Sequence, residues 1–351
     1  MSAIIDFLIN RNREQSAIFS SPDVTLARRQ YREIHPTEIA ALKCMDGRLN
    51  LPFITHTPVG IIQPFRNIGG QFDLGWPFFG ELINDWVHYA ISRGRNCVIL
   101  VTYHWSAGEQ HRGCKGFAYD TDAARMYTEK LRKQVETVFG TAHAVVYPIQ
   151  VGIETDSDAL VLHGVKGQTL DMATLAKDTN NETLQAHLQQ LYPDMQWQML
   201  NDLLPLLQGN LAHIAQIHES HRPVTDAEHK EQILAVGRGF DWLHLPNKAL
   251  IIGPFSYNLA KPIATAAKIL LDNLEAGRIP KAEGVALLTS GAYRDEAGPE
   301  KHLAIEKAKS LRNLAQETIT AEVPDLLPYL HTLSGVLNTN TRYFTPLADE
   351  Q

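Results

Sequence analysis

Cysteine is scarce in this chain: Cys44, Cys97 and Cys114 are the only three in 351 residues. An odd number so small cannot build a disulfide framework, so a reducing, cytoplasmic compartment is expected, with the thiols doing metal or core work. Long hydrophobic runs are also missing. No stretch of about 18 apolar residues occurs, so no membrane span is expected. The short apolar segment at residues 4–9 is interrupted by Asp6 and lacks a small-residue cleavage site after it, which argues against a signal peptide. Nor is there a basic excess: 32 Lys and Arg stand against 39 Asp and Glu, a net charge of −7. A surface that tracks phosphates has the opposite sign, so nucleic acid is not an expected partner. What remains is ordinary globular composition, 44% hydrophobic and 20% charged, in a chain long enough for two domains.

Residues 23–32 read as a helix, with Ser20, Ser21 and Pro22 supplying capping and first-turn chemistry. Residues 39–43 are apolar and short, a buried strand that runs into Cys44. Residues 59–62 read as a second strand. Residues 77–93 read as a helix with Leu82, Ile83, Trp86, Val87, Ala90 and Ile91 on one side. Residues 97–102 are apolar and β-branched, as in a parallel strand covered on both faces. A charged amphipathic helix at 120–139 and strands at 145–153 and 159–162 follow. This alternation predicts an α/β fold, a mainly parallel sheet flanked by helices. Residues 168–222, rich in Leu, Gln and His, read as helices broken by Pro193 and Pro205. The resulting partition is a helical arm at 1–34, an α/β domain at 35–165, a helical connector at 166–224 and a second α/β domain at 225–351.

The second half echoes the first at a gapless offset of 190, the distance from Ile61 to Ile251. Ile61-Ile62-Gln63-Pro64-Phe65 meets Ile251-Ile252-Gly253-Pro254-Phe255, and Gly47-Arg48 meets Gly237-Arg238. Such fixed-period self-similarity predicts two related domains, the alternative being a second, unrelated α/β domain. The same register puts Leu234 opposite Cys44, Lys301 opposite His111 and Ala304 opposite Cys114, so a second copy would have no metal ligands.

Thiolate and imidazole are the donors zinc prefers, and two Cys with one His leave a fourth tetrahedral position for water. Zinc lowers the pKa of that water towards about 7, which suits attack on an electrophilic carbon. Cys44 follows one expected strand, and His111 and Cys114 follow another. In parallel sheets ligands gather beyond such strand ends. Asp46 and Arg48, two and four residues after Cys44, place a carboxylate and a guanidinium near the metal. A lone cysteine is more often a small buried hydrophobe, the reading kept for Cys97. His56, His88 and His104 read as surface or satisfied polar residues, with His104 near enough in sequence to His111 to be considered as a proton shuttle. The acidic run 154–158 lacks the Gly and distal Glu of an EF-hand loop and reads as a solvated turn.

In combination these motifs resemble the β-class carbonic anhydrases. Cys44-Met45-Asp46-Gly47-Arg48-Leu49 is similar to that family's first motif, Arg66-Asn67-Ile68-Gly69-Gly70 to its Arg-Asn-Ala-Gly segment, and His111-Arg112-Gly113-Cys114 to its His-x-x-Cys. The resemblance covers roughly residues 35–165. It implies one Zn2+ per chain on Cys44, His111 and Cys114, with an Asp46–Arg48 dyad and reversible hydration of carbon dioxide to bicarbonate. It also implies a β-carbonic-anhydrase-like fold whose minimal dimer a tandem chain would make internally, as a pseudo-dimer open to further homo-oligomerisation. Three departures stand out. Lys115 precedes Gly116 where Gly usually follows the second Cys directly, Gly47 stands where Ser or Ala is common, and residues 105–110 lengthen the approach to His111. Two alternatives stay open: hydrolysis of carbonyl sulfide or carbon disulfide at the same zinc, and an inactive zinc-stabilised scaffold.

Overall fold

The computed structural model describes residues 2–141, 144–223, 228–243 and 245–348, so the 224/225 domain boundary read from sequence lies outside the described residues. The chain forms two compact units. Unit 1 comprises Met1–Ala27, Met45–Arg48 and His229–Gln351; unit 2 comprises Arg28–Cys44 and Leu49–Glu228. The division cuts across the linear partition, because the first 27 residues go with the C-terminal half and residues 166–224 stay in unit 2.

Unit 2 is built on a six-stranded sheet of β1 (Glu38–Cys44), β2 (Ile62–Asn67), β3 (Cys97–Trp105), β4 (Val146–Glu154), β5 (Ala159–His163) and β6 (Thr169–Asp171) in the order β2-β1-β3-β4-β5-β6. The first four are parallel; β5 and β6 add antiparallel. β1 and β3 are interior and buried along almost their whole length, which is why they read as continuous apolar runs. Helices α2 (Pro22–Ile34) and α3 (Leu51–Ile54) come before β1 and β2 in the chain, α4 (Pro77–Ser92) and α5 (Thr121–Phe139) are the crossovers into β3 and β4, and α6 (Asn181–Leu191) and α7 (Trp197–Ser220) follow the sheet. β2 starts later than residues 59–62, because Pro58 and Gly60, the latter at φ 92, form a turn there. Pro64 is tolerated inside β2 because this strand is an edge. β3 outruns its apolar segment, since Thr102, Tyr103 and His104 are buried as well. Pro193 does separate α6 from α7, whereas Pro205 lies inside α7. There the buried Leu203, Leu204, Leu206 and Leu207 hold the helix despite the lost N–H.

Unit 1 has a five-stranded sheet of β7 (Ile233–Gly237), β8 (Ala249–Ile252), β9 (Val285–Tyr293), β10 (Leu330–Asn338) and β11 (Phe344–Pro346), ordered β11-β10-β9-β7-β8. Helices α8 (Ala260–Glu275) and α9 (Glu300–Glu322) are its crossovers. Ile4, Ile5 and Leu8 of α1 (Ala3–Ser20) join the core of Ile233, Ala235, Trp242, Leu288 and Phe344. Asn12 ties that helix to the last strand, donating to the Arg342 carbonyl and accepting from Phe344 N–H.

Each unit thus runs second-first-third-fourth across its parallel strands, with one helix before the third, one before the fourth, and an antiparallel strand beside the fourth. The spacing between corresponding strands is not constant. β9 begins 285 − 97 = 188 residues after β3, and β10 begins 330 − 146 = 184 after β4. The gapless offset of 190 is therefore not the structural register: Ile62 opens β2 while Ile252 closes β8. Connections of unequal length shift the correspondence, and strand pairing rather than identity defines it.

Candidate metal centre

β1 and β3 are hydrogen-bonded neighbours, so their carboxyl ends bring Cys44 and His104 to one edge of the sheet. Cys114 arrives from the loop beyond β3, where its carbonyl accepts from Phe117 and Tyr119 N–H in a tight turn. The thiols of Cys44 and Cys114 and an imidazole nitrogen of His104 all lie within 4.8 Å of one another, and the three residues are 5%, 4% and 1% exposed. Two sulfurs and a nitrogen, excluded from water and converging, fit zinc by donor chemistry. Gly116 seats the turn: a Cβ there would come within 2.7 Å of Gly69 N, and Gln71 Nε2 donates to the Gly116 carbonyl at 2.8 Å. The Arg66–Gly70 segment is therefore the shelf on which the Cys114 turn rests.

His111 is placed elsewhere. Its side chain is 79% exposed, with Nδ1 3.2 Å from Glu109 Oε1 and the ring against Tyr119. The His111 backbone N–H, then its ring, hold the Glu109 carboxyl below its ordinary pKa. The structure groups His104, not His111, with the two thiols, and the reason lies in the acidic run 154–158. Asp156 accepts from Ser106 Oγ at 2.8 Å and from Gly108 N–H at 2.7 Å, and pairs with Arg112 at 3.5 Å. Glu154 accepts from Ala107, Asp156 and Ser157 N–H. These carboxylates fold the 106–112 loop onto the turn after β4 and leave His111 on its outer face. Asp158 is buried, accepting from His213 Nε2 at 2.9 Å and Arg222 Nη1 at 2.7 Å. The run is a clamp, not a solvated turn.

Asp46 and Arg48 form a bidentate pair. Arg48 Nε donates to Asp46 Oδ1 at 3.0 Å, Nη2 to Oδ2 at 2.6 Å, and the Arg48 N–H also reaches Oδ1 at 2.9 Å. Both side chains are nearly excluded from solvent. The short Met45–Arg48 segment belongs to unit 1 and lines the edge strand β8: Ile251 N–H donates to the Met45 carbonyl and Asn247 N–H to that of Gly47. Its pairing covers backbone groups that an edge strand would otherwise expose. Gly47 has its cause here, since a Cβ would meet the Ala249 carbonyl at 2.8 Å.

Cys97 is fully buried, and burial, with Glu38 nearby, pushes its thiol up to about 12. It remains a core residue. His104, which reads from sequence as a surface or satisfied polar residue and a candidate proton shuttle, is instead buried in the last residues of β3; the signal for it is that position, at the carboxyl end of an interior strand beside the one ending in Cys44. Among the described residues no helix is long and apolar enough to cross a membrane.

Residues 30–204 match the family model of the carboxysome shell carbonic anhydrase catalytic domain. The chain is 26% identical, over an alignment of 238 residues, to the carboxysome shell carbonic anhydrase of Prochlorococcus marinus (strain MIT 9313), covering 58% of this chain and 45% of that protein. It is likewise 26% identical to the protein of that name from Parasynechococcus marenigrum (strain WH8102), covering 58% of this chain and 40% of the relative. The chain thus spans less than half the length of these curated relatives. Cys44, Asp46, Arg48, His104 and Cys114 all fall inside the matched stretch, and the likeness supports a carbonic anhydrase family for residues 30–204.

Proposed function

We propose that this protein is a zinc-dependent carbonic anhydrase interconverting carbon dioxide and bicarbonate, with one zinc held by Cys44, His104 and Cys114. The observation that carries this reading is the buried convergence of two thiols and an imidazole inside the stretch that resembles a carbonic anhydrase catalytic domain. When bound, zinc supplies a Lewis acid that makes hydroxide available near neutral pH. Cys44, His104 and Cys114 would hold the ion, and three protein donors are the number that suits a catalytic rather than a structural site. Asp46, two residues after Cys44 in the chain, would accept a hydrogen bond from the attacking water or hydroxide and so set its direction. Arg48 engages both carboxylate oxygens, which fixes the carboxylate's orientation. No side chain is assigned as a proton shuttle; His104 is a ligand in this reading.

The matching strand orders support descent of the unit 1 sheet from a copy of that in unit 2, with the donors lost. The relatives are named for the carboxysome shell, which favours work at such a shell over the bulk cytoplasm. The test is metal content of protein purified without added metal, then stopped-flow carbon dioxide hydration on the same sample, with carbonyl sulfide and carbon disulfide in parallel. About one zinc per chain with rapid hydration is expected. Zinc without any turnover would favour the scaffold, turnover of the sulfur substrates alone would move the activity to them, and absence of zinc would overturn the centre.

A further inference from the structure

A second cluster of potential metal donors lies wholly within unit 1: Asp46, His229 and Glu231 offer side-chain atoms within 4.8 Å of one another. By donor type alone, two carboxylates and an imidazole would suit a divalent cation. The hydrogen bonds decide otherwise. Both Asp46 oxygens are engaged by Arg48, and Arg48 Nη2 stands 3.2 Å from His229 Nε2. A cation on that nitrogen would sit against a guanidinium, which is never deprotonated.

The same contacts favour one tautomer of His229. Glu231 is fully buried and takes the Gly47 N–H at 3.2 Å. His229 Nδ1 lies 2.9 Å from Glu231 Oε2 and 3.1 Å from Oε1. With the carboxylate accepting, Nδ1 must carry the hydrogen, and the neutral ring then has its lone pair on Nε2. That lone pair faces the Arg48 N–H. An imidazolium would instead turn an N–H towards the Arg48 guanidinium, with Asp46 Oδ2 3.9 Å away, beyond hydrogen-bond reach.

We propose that His229 and Glu231 are positioning residues for the Asp46–Arg48 pair: Glu231 locks the Nδ1–H tautomer of His229, and His229 Nε2 accepts from Arg48 and holds the guanidinium on Asp46. The catalytic consequence rests on the carbonic anhydrase reading above; the hydrogen-bond chain does not. The part of the chain without a thiol is accordingly not idle, because it buttresses the carboxylate that follows Cys44.

The test uses zinc-loaded full-length protein. Nitrogen-15 NMR of the histidine rings should show His229 neutral with its proton on Nδ1, and the Arg48 side-chain N–H signals should exchange slowly with water. In His229→Ala the Arg48 exchange should accelerate and carbon dioxide hydration should fall about ten- to a hundredfold at unchanged zinc content. His229→Gln, whose amide oxygen can accept from Arg48, should recover slow exchange and most of the rate. An Nε2–H or doubly protonated His229 in the native protein would overturn the proposal, as would an alanine variant with unaltered Arg48 exchange. If the tautomer and the Arg48 response are as expected while the native protein hydrates no carbon dioxide, the positioning chain stands and the carbonic anhydrase reading falls.

Discussion

The two sheets share strand order, crossover helices and a closing antiparallel strand, yet their carboxyl edges differ. In unit 2, β1 ends in Cys44 and β3 reaches His104 and Trp105, so donors gather there. In unit 1, β7 ends in Gly237 and β9 in Ala292 and Tyr293. Backbone fills the space that side chains occupy in the other unit: a Cβ on Gly237 would lie 2.1 Å from the Ser290 carbonyl, and one on Gly291 would lie 1.9 Å from that of Ala304 in α9. Topology sets where strand ends meet. Whether a site exists there depends on the side chains those ends carry and on how closely the crossover helix is packed.

The sharpest way to break the comparison is to remove a donor from unit 2. His104→Ala should abolish zinc binding and hydration together, a loss of about a hundredfold or more, while His111→Ala should leave zinc content unchanged and the rate within about twofold. Zinc analysis and stopped-flow kinetics on the pair check this, and the reverse pattern would restore His111 as the ligand. Unit 1, with no cysteine, should retain no zinc in the His104 variant.

A smaller effect is expected from the clamp that shapes the loop between His104 and Cys114. Asp156→Ala removes acceptors from Ser106, Gly108 and Arg112, and charged hydrogen bonds of this kind are worth about 1.5–3 kcal/mol each. Zinc should leave about tenfold faster in a chelator chase, with the zinc stoichiometry unchanged. An unchanged release rate would show that the turn on Gly69 is sufficient by itself.

The smallest effect concerns alkaline pH. In unit 2, burial pushes Tyr31, Cys97, Tyr103 and Tyr127 up to about 12. For an acid whose pKa is raised by folding, stability is full below the ordinary value and declines as pH rises towards the folded one. Unit 2 should therefore loosen as pH climbs from about 9 towards 12, visible as hydrogen exchange in β1 and β3. Cys97→Ala should shift that transition slightly upward at a cost of about 1 kcal/mol near neutral pH, with activity intact. In native protein Cys97 should resist alkylation at pH 8 even after zinc removal.

Much of the fold was legible from periodicity. The apolar run before Cys44, the run from Cys97 and the amphipathic spacing of α4 and α5 each report burial directly, and the structure places elements there. β2 was misplaced because a Pro-Gly turn is locally as apolar as the strand behind it. Pro205 did not break α7 because tertiary packing of its leucines outweighs one lost hydrogen bond.

By itself the sequence determined the two thiols, the Asp–Arg pair, the absence of cysteine from the second half and an α/β architecture, since each depends on residue type or on spacing within a few residues. Tertiary structure alone decided that His104 rather than His111 stands beside the thiols, that the acidic run is a clamp, why residue 47 is glycine, and that His229 and Glu231 meet Arg48 and Gly47 from more than 180 positions away. The physical reason is common to all four. A side chain's neighbours are set by strand register and loop packing, and neither leaves a mark on the spacing of the residues it brings together.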